Sequence, residues 1–549
     1  MSLSRLWLFV RVYLGVLLGG SLVLYVWLHV DRVETSPQKF IVSAWRGGSR
    51  IARSVVAKEP EQQLVHLANA SGATRVIEEV LADGPVLALS PFLFGMSFVP
   101  GRDAIEATLR GHVVYATPDD LLKLGAYELS VPFGEFKVKF GVDAALAQSH
   151  LASELGVSVE ELLREGRFRR LAIRRSVPGD PPTIWEVSQD NLRAAVLASG
   201  AYLARIVREN GTFRYEVDAA TGEDTPDYNL PRHAGATWYL AQAAGYSRDR
   251  QMRAAVKRAA SFIVRRHFRD CGANMCFSDD DQADLGSSAL ALLALVEMVE
   301  SKTDESLVPQ VQQLAAFLRS QQRPDGEFMH LYDRRNRRPI DVQFLYYTGE
   351  AAFALSRAHR ITGNPADLDA ASRALAYLVK KPWWYIGWRY YWPAEHWTCH
   401  ALDDLWDRAP NHAALRFCLD WQEFVRDTAI YDREAAKEYQ AGATSGPFVP
   451  PQIIVSASRM EAAVATLAAA EAANLPRGEI DKLENGIRAT LAFMMRFQYL
   501  PGPAHLMPDP DTMSGGFPTS ETDLRVRIDN PQHVGTGLLE YLRILEHRR

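Results

Sequence analysis

The sequence predicts a mainly α-helical chain in which an N-terminal transmembrane helix and a small mixed α/β domain precede a closed double ring of helices. An uncharged apolar stretch occupies residues 12–30, and short strand-like runs alternate with short helices over residues 41–185. From about residue 190 onward, apolar residues recur at helical spacing. A chain of 549 residues exceeds the roughly 250–300 over which one core grows, so several domains are expected.

Bulk composition is that of a globular protein, with 47% hydrophobic and 23% charged residues. The net charge of -5 argues against a broad basic surface for nucleic acid. Four cysteines are too few for a scaffold built on disulfides. In an oxidising compartment, Cys399 with Cys418 or Cys271 with Cys276 would be alternatives for pairing.

The first segment, residues 1–40, is predicted to be a single-pass anchor in the cell inner membrane. No Asp, Glu, Lys or Arg lies between Val12 and Val30, a stretch that roughly spans a hydrocarbon core of about 30 Å. Arg5 and Arg11 precede it, so the N-terminus is expected in the cytoplasm and the bulk of the chain in the periplasm. A cleaved signal peptide is the alternative, but small residues are missing before the expected cleavage site.

The second segment, residues 41–185, predicts a small mixed α/β domain without a recognisable catalytic motif. Strands are expected at 86–89, 112–116, 135–140 and 170–175, and helices at 74–81 and 157–165. The Pro- and Gly-rich stretch 177–182 is a predicted linker.

The third segment, residues 186–549, predicts twelve helices joined alternately by long and short connections. Their expected ranges are 190–208, 233–245, 248–267, 286–301, 305–321, 344–363, 366–379, 396–409, 412–428, 456–473, 481–498 and 530–547. Short joins follow the even-numbered helices and make antiparallel hairpins, so the six long loops are expected on one face.

Small residues distinguish the even-numbered helices, as in 233–237, 286–291, 349–354 and 456–463. They allow close packing and predict an inner ring, whereas the Arg- and Lys-richer odd-numbered helices are expected outside. An open helical solenoid is the alternative, but no separate capping helix is visible, which favours closure.

Three glycine–aromatic turns carry a resemblance to known proteins: Asp325-Gly326-Glu327-Phe328, and weaker copies at Asn210-Gly211-Thr212-Phe213 and Gly515-Gly516-Phe517. They resemble the turns repeated in (α/α)6 toroids, a superfamily that includes the six-hairpin glycosidases, toroidal polysaccharide lyases and uronyl epimerases, and the terpene-cyclase toroids. The resemblance covers about 190–549. It implies the architecture and leaves the chemistry open, because unrelated reactions use this ring.

Polar residues at the starts of the inner helices are the candidate site, because these ends should converge under the long loops. Before the second helix stand Asp227, Tyr228, Asn229, Arg232 and His233, which either form a functional group or a capping cluster.

Further candidates precede later inner helices. They are Asp281 before the fourth helix, Tyr347 and Glu350 in the sixth, and Asp529, Gln532 and His533 at the last. Each carboxylate has a structural alternative as one half of an ion pair.

The loop before the eighth helix is crowded with aromatic residues. Trp384, Trp388, Trp392 and Trp397 belong to a stretch that also contains Glu395 and His396. Flat rings stack on sugar faces while polar groups bind the hydroxyls, although plugging of the ring core is the alternative.

His396 and His400 lie one turn apart on a helix and could bind zinc with His233 or His533 as a third ligand. This ligand set is short, so neither a metal nor a cofactor is expected.

These features predict a membrane-anchored enzyme that acts on a polysaccharide. A hydrolase would draw two carboxylates from Asp227, Asp281, Glu350, Glu395 and Asp529. A lyase or C5-epimerase would use Tyr228 or His233 for the proton, with Asn229 and Arg232 neutralising a uronate carboxylate. The alternatives are a non-catalytic polysaccharide-binding or envelope-assembly subunit and a zinc toroid that modifies isoprenoids or peptides.

Overall fold

The computed structural model describes residues 39–56, 62–63, 66, 72–73, 75–82, 84–87, 91–127, 130–133, 136–139, 141–176, 186–380, 396–427, 429, 439–443, 451–499 and 503–548. The predicted anchor at 12–30 lies outside these residues. The chain divides into two compact units, Met1–Asp180 and Pro181–Arg549. Among the described residues, one helix, Ile453–Ala472, is long and apolar enough to cross a membrane. Because 83% of it is buried within the protein, it has the character of a core helix.

The first unit contains a six-stranded antiparallel sheet in the order β2-β1-β3-β8-β4-β5. Its elements are β1 (Lys39–Arg46), β2 (Ser49–Val56), β3 (Arg75–Ala82), α1 (Pro91–Met96), β4 (Asp103–Leu109), β5 (His112–Ala116), α2 (Pro118–Lys123), the hairpin β6 (Ser130–Phe133) and β7 (Phe136–Lys139), α3 (Ala144–Leu155), α4 (Val159–Glu165) and β8 (Arg167–Ser176). A core that includes Phe94, Ile105, Leu121, Leu151 and Phe168 lies between the sheet and the helices.

The helix predicted at 74–81 is wrong, because this segment forms the central strand β3. Ile77, Glu79 and Leu81 are buried at every second position, which is the period of a strand. Glu78 and Glu79 have a local preference for helix. Hydrogen bonding of the segment with β1 on one side and β8 on the other outweighs that preference.

The second unit contains the twelve predicted ring helices. The outer helices are α5 (Gln189–Ile206), α7 (Arg250–Phe262), α9 (Val308–Ser320), α11 (Pro365–Lys380), α13 (His412–Arg426) and α15 (Arg477–Arg496). The inner helices are α6 (Leu230–Ser247), α8 (Leu285–Glu300), α10 (Tyr347–Thr362), α12 (Trp397–Leu405), α14 (Ile453–Ala472) and α17 (Asp529–His547). Each inner helix packs against the next, and α17 packs against α6. The inner ring is therefore closed, and the predicted alternation of inner and outer helices is confirmed.

The remaining elements of this unit are short and lie in the long connections. They are β9 (Glu216–Asp218), a π-helical turn (Ile263–His267), β10 (Phe268–Cys271), β11 (Asn274–Phe277), β12 (Gln282–Asp284), a 3-10 turn (Glu305–Leu307), β13 (Leu331–Asp333), β14 (Arg338–Ile340), a 3-10 turn (Pro503–Leu506), α16 (Pro510–Met513) and β15 (Arg525–Arg527).

The two ends of the ring domain are joined to each other. Strand β9 of the first long loop pairs with β15 of the last, with Glu216 opposite Arg527. At the other end of the ring axis, Gln189 Nε2 donates to the Leu545 carbonyl at 3.0 Å, and Arg193 pairs with Glu546 at 2.8 Å. The chain therefore enters and leaves the ring at the same edge, on the face of the short joins.

Aromatic side chains fill the ring axis below the starts of the inner helices. Trp238, Phe353, Trp397 and His400 come from α6, α10 and α12, and they are 0–4% exposed. The Trp238 ring lies 5.8 Å from Phe353 and 5.9 Å from Trp397, measured between centroids. This buried group is called the aromatic floor below.

The glycine–aromatic turns have one shared structure, which explains their repetition. Gly211, Gly326 and Gly515 have φ values of 88°, 98° and 88°, a region that side chains disfavour. A Cβ atom on these glycines would lie 2.1–2.5 Å from a backbone carbonyl oxygen of the adjacent outer helix. The following phenylalanines are completely buried. The turn therefore docks the end of one outer helix against the next.

Gly326→Ala is expected to lower the free energy of unfolding by about 1–3 kcal/mol, because the added Cβ combines a disfavoured φ with a collision against the Arg373 carbonyl. Gly486→Ala is the matched control: it lies within α15 with open space around it and should raise stability by about 0.5–1 kcal/mol. Urea unfolding followed by tryptophan fluorescence measures both. Equal effects of the two substitutions would contradict the docking role of the turn.

Candidate active site

Two histidines and one glutamate meet at the centre of the inner ring. His396 immediately precedes α12, Glu461 lies in α14 and His533 lies in α17. One nitrogen or oxygen atom from each lies within 4.8 Å of the other two. Glu461 Oε2 is 2.7 Å from His533 Nδ1 and 3.7 Å from His396 Nε2. We call these three residues the central triad.

Burial and charge set the protonation of the central triad. The Glu461 side chain is completely buried, and its carboxylate faces the His533 ring. Burial alone would lower the pKa of His533, but the charge and hydrogen bond of Glu461 outweigh it and raise that pKa. His533 is therefore favoured as an imidazolium that points one N–H at the carboxylate.

The two imidazoles of the triad are nearly perpendicular, with ring centroids 5.1 Å apart and an interplanar angle of 81°. Trp397 of the aromatic floor packs against His396 at 4.5 Å. One turn deeper, His400 is buried, and burial lowers its pKa to about 3. Among the described residues, those that pack beneath the triad on this side are therefore buried and aromatic.

Exposure and backbone geometry distinguish three residues in or near the triad. The His533 side chain retains 15% exposure, and Phe344, just before α10, is 43% exposed. Tyr346 has a φ of 77°, unusual for a residue other than glycine, and its ring centroid is 6.3 Å from that of His396. Such backbone conformations concentrate at functional sites.

Tyr228 and His233 form a closed hydrogen-bonded group. The Tyr228 hydroxyl accepts the Phe213 N–H at 3.1 Å and lies 2.7 Å from His233 Nδ1, while His233 Nε2 faces the Ala259 carbonyl at 3.1 Å. A carbonyl only accepts, so Nε2 carries the proton and Nδ1 accepts from Tyr228. Burial lowers the pKa of His233 to about 3. Both nitrogens of this neutral imidazole are therefore occupied.

Asn229 and Arg232 hold the first loop in place. The Asn229 side chain caps α6 by accepting the Arg232 N–H at 3.1 Å. Arg232 Nε donates to Asp529 at 2.8 Å, and Arg527 bonds the same carboxylate at 2.7 and 2.8 Å. Burial would raise the pKa of Asp529, but Arg527 and Arg232 outweigh it and lower that pKa. Asp529 is therefore ionised and shared between two guanidinium groups.

The other predicted carboxylates occupy separate places. Asp227 is exposed before α6, and Asp281 pairs with Arg335 on an exposed loop. Glu350 is buried beside Tyr347, which hydrogen-bonds Asp284. No observation tests the catalytic roles predicted for these residues, which stay predictions.

The remaining predicted residues fall into two sets. Gln532 is buried next to the triad, with Nε2 3.3 Å from His533 Nδ1. The aromatic loop residues Trp384, Trp388, Trp392 and Glu395 lie outside the described residues. The structure thus brings together His396, Gln532 and His533 and adds one residue that the sequence interpretation missed, Glu461. An acid inside the Ala- and Ser-rich stretch of α14 was the available signal for Glu461.

Both candidate disulfides are formed. Cys399 of α12 bonds Cys418 of α13, and Cys271 bonds Cys276 across the β10–β11 hairpin. The first of these ties the inner helix next to His396 to the outer ring.

The sequence matches no family model and no curated protein. Solved structures do resemble the chain. A crystal structure of a D-mannose isomerase superposes with a TM-score of 0.51 at 14% identity, covering 67% of this chain and 100% of the other.

A sugar epimerase from a ruminal bacterium superposes with a TM-score of 0.50 at 13% identity, covering 65% of this chain and 98% of the other. A cellobiose 2-epimerase from Spirochaeta thermophila superposes with a TM-score of 0.50 at 12% identity, covering 67% of this chain and 100% of the other. The predicted resemblance is confirmed at the level of the fold: the second unit has the (α/α)6 toroid fold.

Proposed function

We propose that this chain is a carbohydrate-active enzyme that removes and returns a carbon-bound proton of a sugar at His396 and His533, as an epimerase or isomerase does. The observation that carries the proposal is the central triad, in which Glu461 holds one of two adjacent imidazoles at the centre of the ring. The names of the similar structures, a mannose isomerase and two sugar epimerases, support the same class of reaction.

The triad supplies the groups that this reaction needs. His396 in its neutral form takes the proton from a carbon next to a carbonyl or carboxyl group. The C–H electron pair becomes a C=C bond, the C=O pair moves to oxygen, and the imidazolium of His533 gives that oxygen a proton. For the isomer, His396 gives its proton to the neighbouring carbon, and the hydroxyl on the first carbon gives its proton to His533 as the new carbonyl forms there. For the epimer, the enediol first turns over, so that His396 gives its proton to the opposite face of the first carbon, and the hydroxyl that His533 had protonated returns that proton as the original carbonyl re-forms. Both histidines recover their starting states.

A hydrolase is less well supported by the described residues. Two carboxylates would have to act about 5–5.5 Å apart for retention or about 6.5–9.5 Å apart for inversion. Asp529 is held by Arg232 and Arg527, and Glu461 Oε2 faces His533. Both are already engaged with cationic partners, which disfavours a role as a general acid.

The proposal also includes the location and the substrate. Residues 12–30 would tether the enzyme to the inner membrane with the ring in the periplasm, and the two disulfides suit that oxidising compartment. The buried aromatic floor packs beneath the triad and would leave the face of the long loops as the side from which a sugar enters. This shape suits the end of an envelope saccharide better than the middle of a polymer. Envelope-assembly partners would bring such material to it.

Incubation in D₂O tests the proposed reaction. The purified full-length chain is offered reducing sugars and uronate-containing oligosaccharides, and deuterium at carbon is read by mass spectrometry and NMR. We expect enzyme-dependent exchange at one carbon of the terminal sugar, together with an epimeric or isomeric product. New reducing ends without exchange would indicate a hydrolase, and binding without exchange or turnover would indicate a binding subunit. Either result would overturn the proposal.

A further inference from the structure

The central triad also has the composition of a transition-metal site. Two imidazoles and one carboxylate, contributed by three different inner helices, present one ligand atom each within 4.8 Å of one another. This His₂Glu set occurs in zinc enzymes, where the fourth position stays open for water or substrate. Imidazole nitrogen favours zinc and its neighbours over magnesium and calcium, which prefer oxygen ligands.

The distances require only small side-chain shifts. Bonds of about 2.0–2.1 Å place tetrahedral ligand atoms roughly 3.3 Å apart. Glu461 Oε2 is 3.7 Å from His396 Nε2 and 2.7 Å from His533 Nδ1, so one separation must shrink and the other must widen by less than about 1 Å. The remaining pair of ligand atoms, from His396 and His533, is at most 4.8 Å apart. This distance exceeds the tetrahedral value by at most roughly 1.5 Å, a change that rotation of the side chains can supply.

Glu461 supplies a second observation. Its Oε1 atom is buried and has no hydrogen-bond partner among the described residues, and the whole side chain is 0% exposed. A buried carboxylate oxygen without a partner is unfavourable. A cation beside the carboxylate would compensate it.

We propose that His396, Glu461 and His533 bind one Zn²⁺ ion, with the fourth position open towards the partly exposed edge of His533. The ion would occupy the nitrogen lone pair that His396 needs as a base and would displace the proton shared by His533 and Glu461. Zinc would therefore inhibit sugar turnover reversibly. The inhibition rests on the proposed function, whereas the binding does not.

Cobalt serves as the spectroscopic probe for binding. The metal-free full-length chain is titrated with Co²⁺, and the visible absorption of tetrahedral Co²⁺ is recorded before and after addition of Zn²⁺. We expect one equivalent of cobalt to bind and one equivalent of zinc to displace it. Glu461→Gln and His533→Asn should each weaken binding by at least about 10-fold, the lower end of what loss of even a supporting residue costs.

His400→Asn is the matched control, because His400 is a neighbouring buried imidazole outside the triad. It should retain cobalt binding, and circular dichroism of all three variants checks that they are folded. Absence of a tetrahedral cobalt spectrum in the wild-type chain, or unchanged binding in folded Glu461→Gln and His533→Asn, would overturn the site. Loss in His400→Asn alone would replace it with another ligand set.

Inhibition of the enzyme by zinc is measured separately, with any sugar whose carbon-bound proton exchanges in D₂O. Stoichiometric zinc should abolish exchange, and a chelator should restore it. Binding of zinc with undiminished exchange would refute the inhibition and leave the site standing. If the chain binds zinc but its metal-free form exchanges the proton of no sugar, that result would count against the proposed function alone.

Discussion

His533→Asn is expected to lower kcat by at least about 100-fold on any sugar that exchanges its proton, within the usual 10²–10⁴-fold contribution of a general acid or base. Asn keeps a polar group near Glu461 but cannot carry a proton to and from the substrate. KM should change little, because the substitution removes a proton-transfer group that acts in the transition state. The D₂O exchange assay gives kcat, and His396→Asn should have an effect of similar size because the two imidazoles act in one reaction.

The matched control is His547→Asn. His547 lies on the same helix and is exposed. Its Nδ1 atom is 2.7 Å from the Arg543 carbonyl oxygen one turn earlier. Its replacement should leave kcat within about twofold, since the substitution touches no group near the triad. Retention of full activity by folded His533→Asn would remove this residue from the mechanism.

Arg357→Met is expected to lower the free energy of unfolding of the ring domain by about 3–5 kcal/mol, because it takes the cationic partner away from the buried carboxylate of Glu297. Arg357 is only 11% exposed at the end of α10. It pairs with Glu297 at 2.9 Å, with Glu300, and with Asp404 at 3.8 Å. Burial would lower the pKa of Arg357, but these three acids outweigh it and raise that pKa. The guanidinium therefore joins α8, α10 and α12 by charge.

Arg360→Met is the matched control for this ion network. Arg360 shares the Asp404 partner, but its side chain is 46% exposed, so its loss should cost no more than about 1 kcal/mol. Urea unfolding followed by tryptophan fluorescence compares the two variants. Equal losses would show that burial of the Arg357 network contributes nothing beyond an exposed ion pair.

The fold of the ring could be predicted because its signals are local and repeated. The alternation of short and long joins predicts the hairpins, and a run of small residues such as 286–291 predicts an inner helix from the sequence alone. Strand β3 could not be predicted in this way, since its pairing with β1 and β8 depends on residues far apart in sequence.

The candidate site was predicted only in part, for a related reason. His396 and His533 were found because they stand at helix starts, where polarity is visible. Glu461 lies more than two turns into α14, and only the arrangement of three helices turns its carboxylate towards them. Tyr228 and His233 stand out in the sequence by their dense polarity, and their catalytic role stays a prediction. In the structure, the two nitrogens of His233 face Tyr228 and the Ala259 carbonyl of α7.

The contacts of Gln189 with Leu545 and of Arg193 with Glu546 place both ends of the ring domain at one edge. His533 lies near the start of α17 and Leu545 near its end, so about twelve helical residues, or roughly 18 Å at about 1.5 Å per residue, separate the triad from this edge. Residues added or removed at either end of the ring domain would therefore act far from the candidate site.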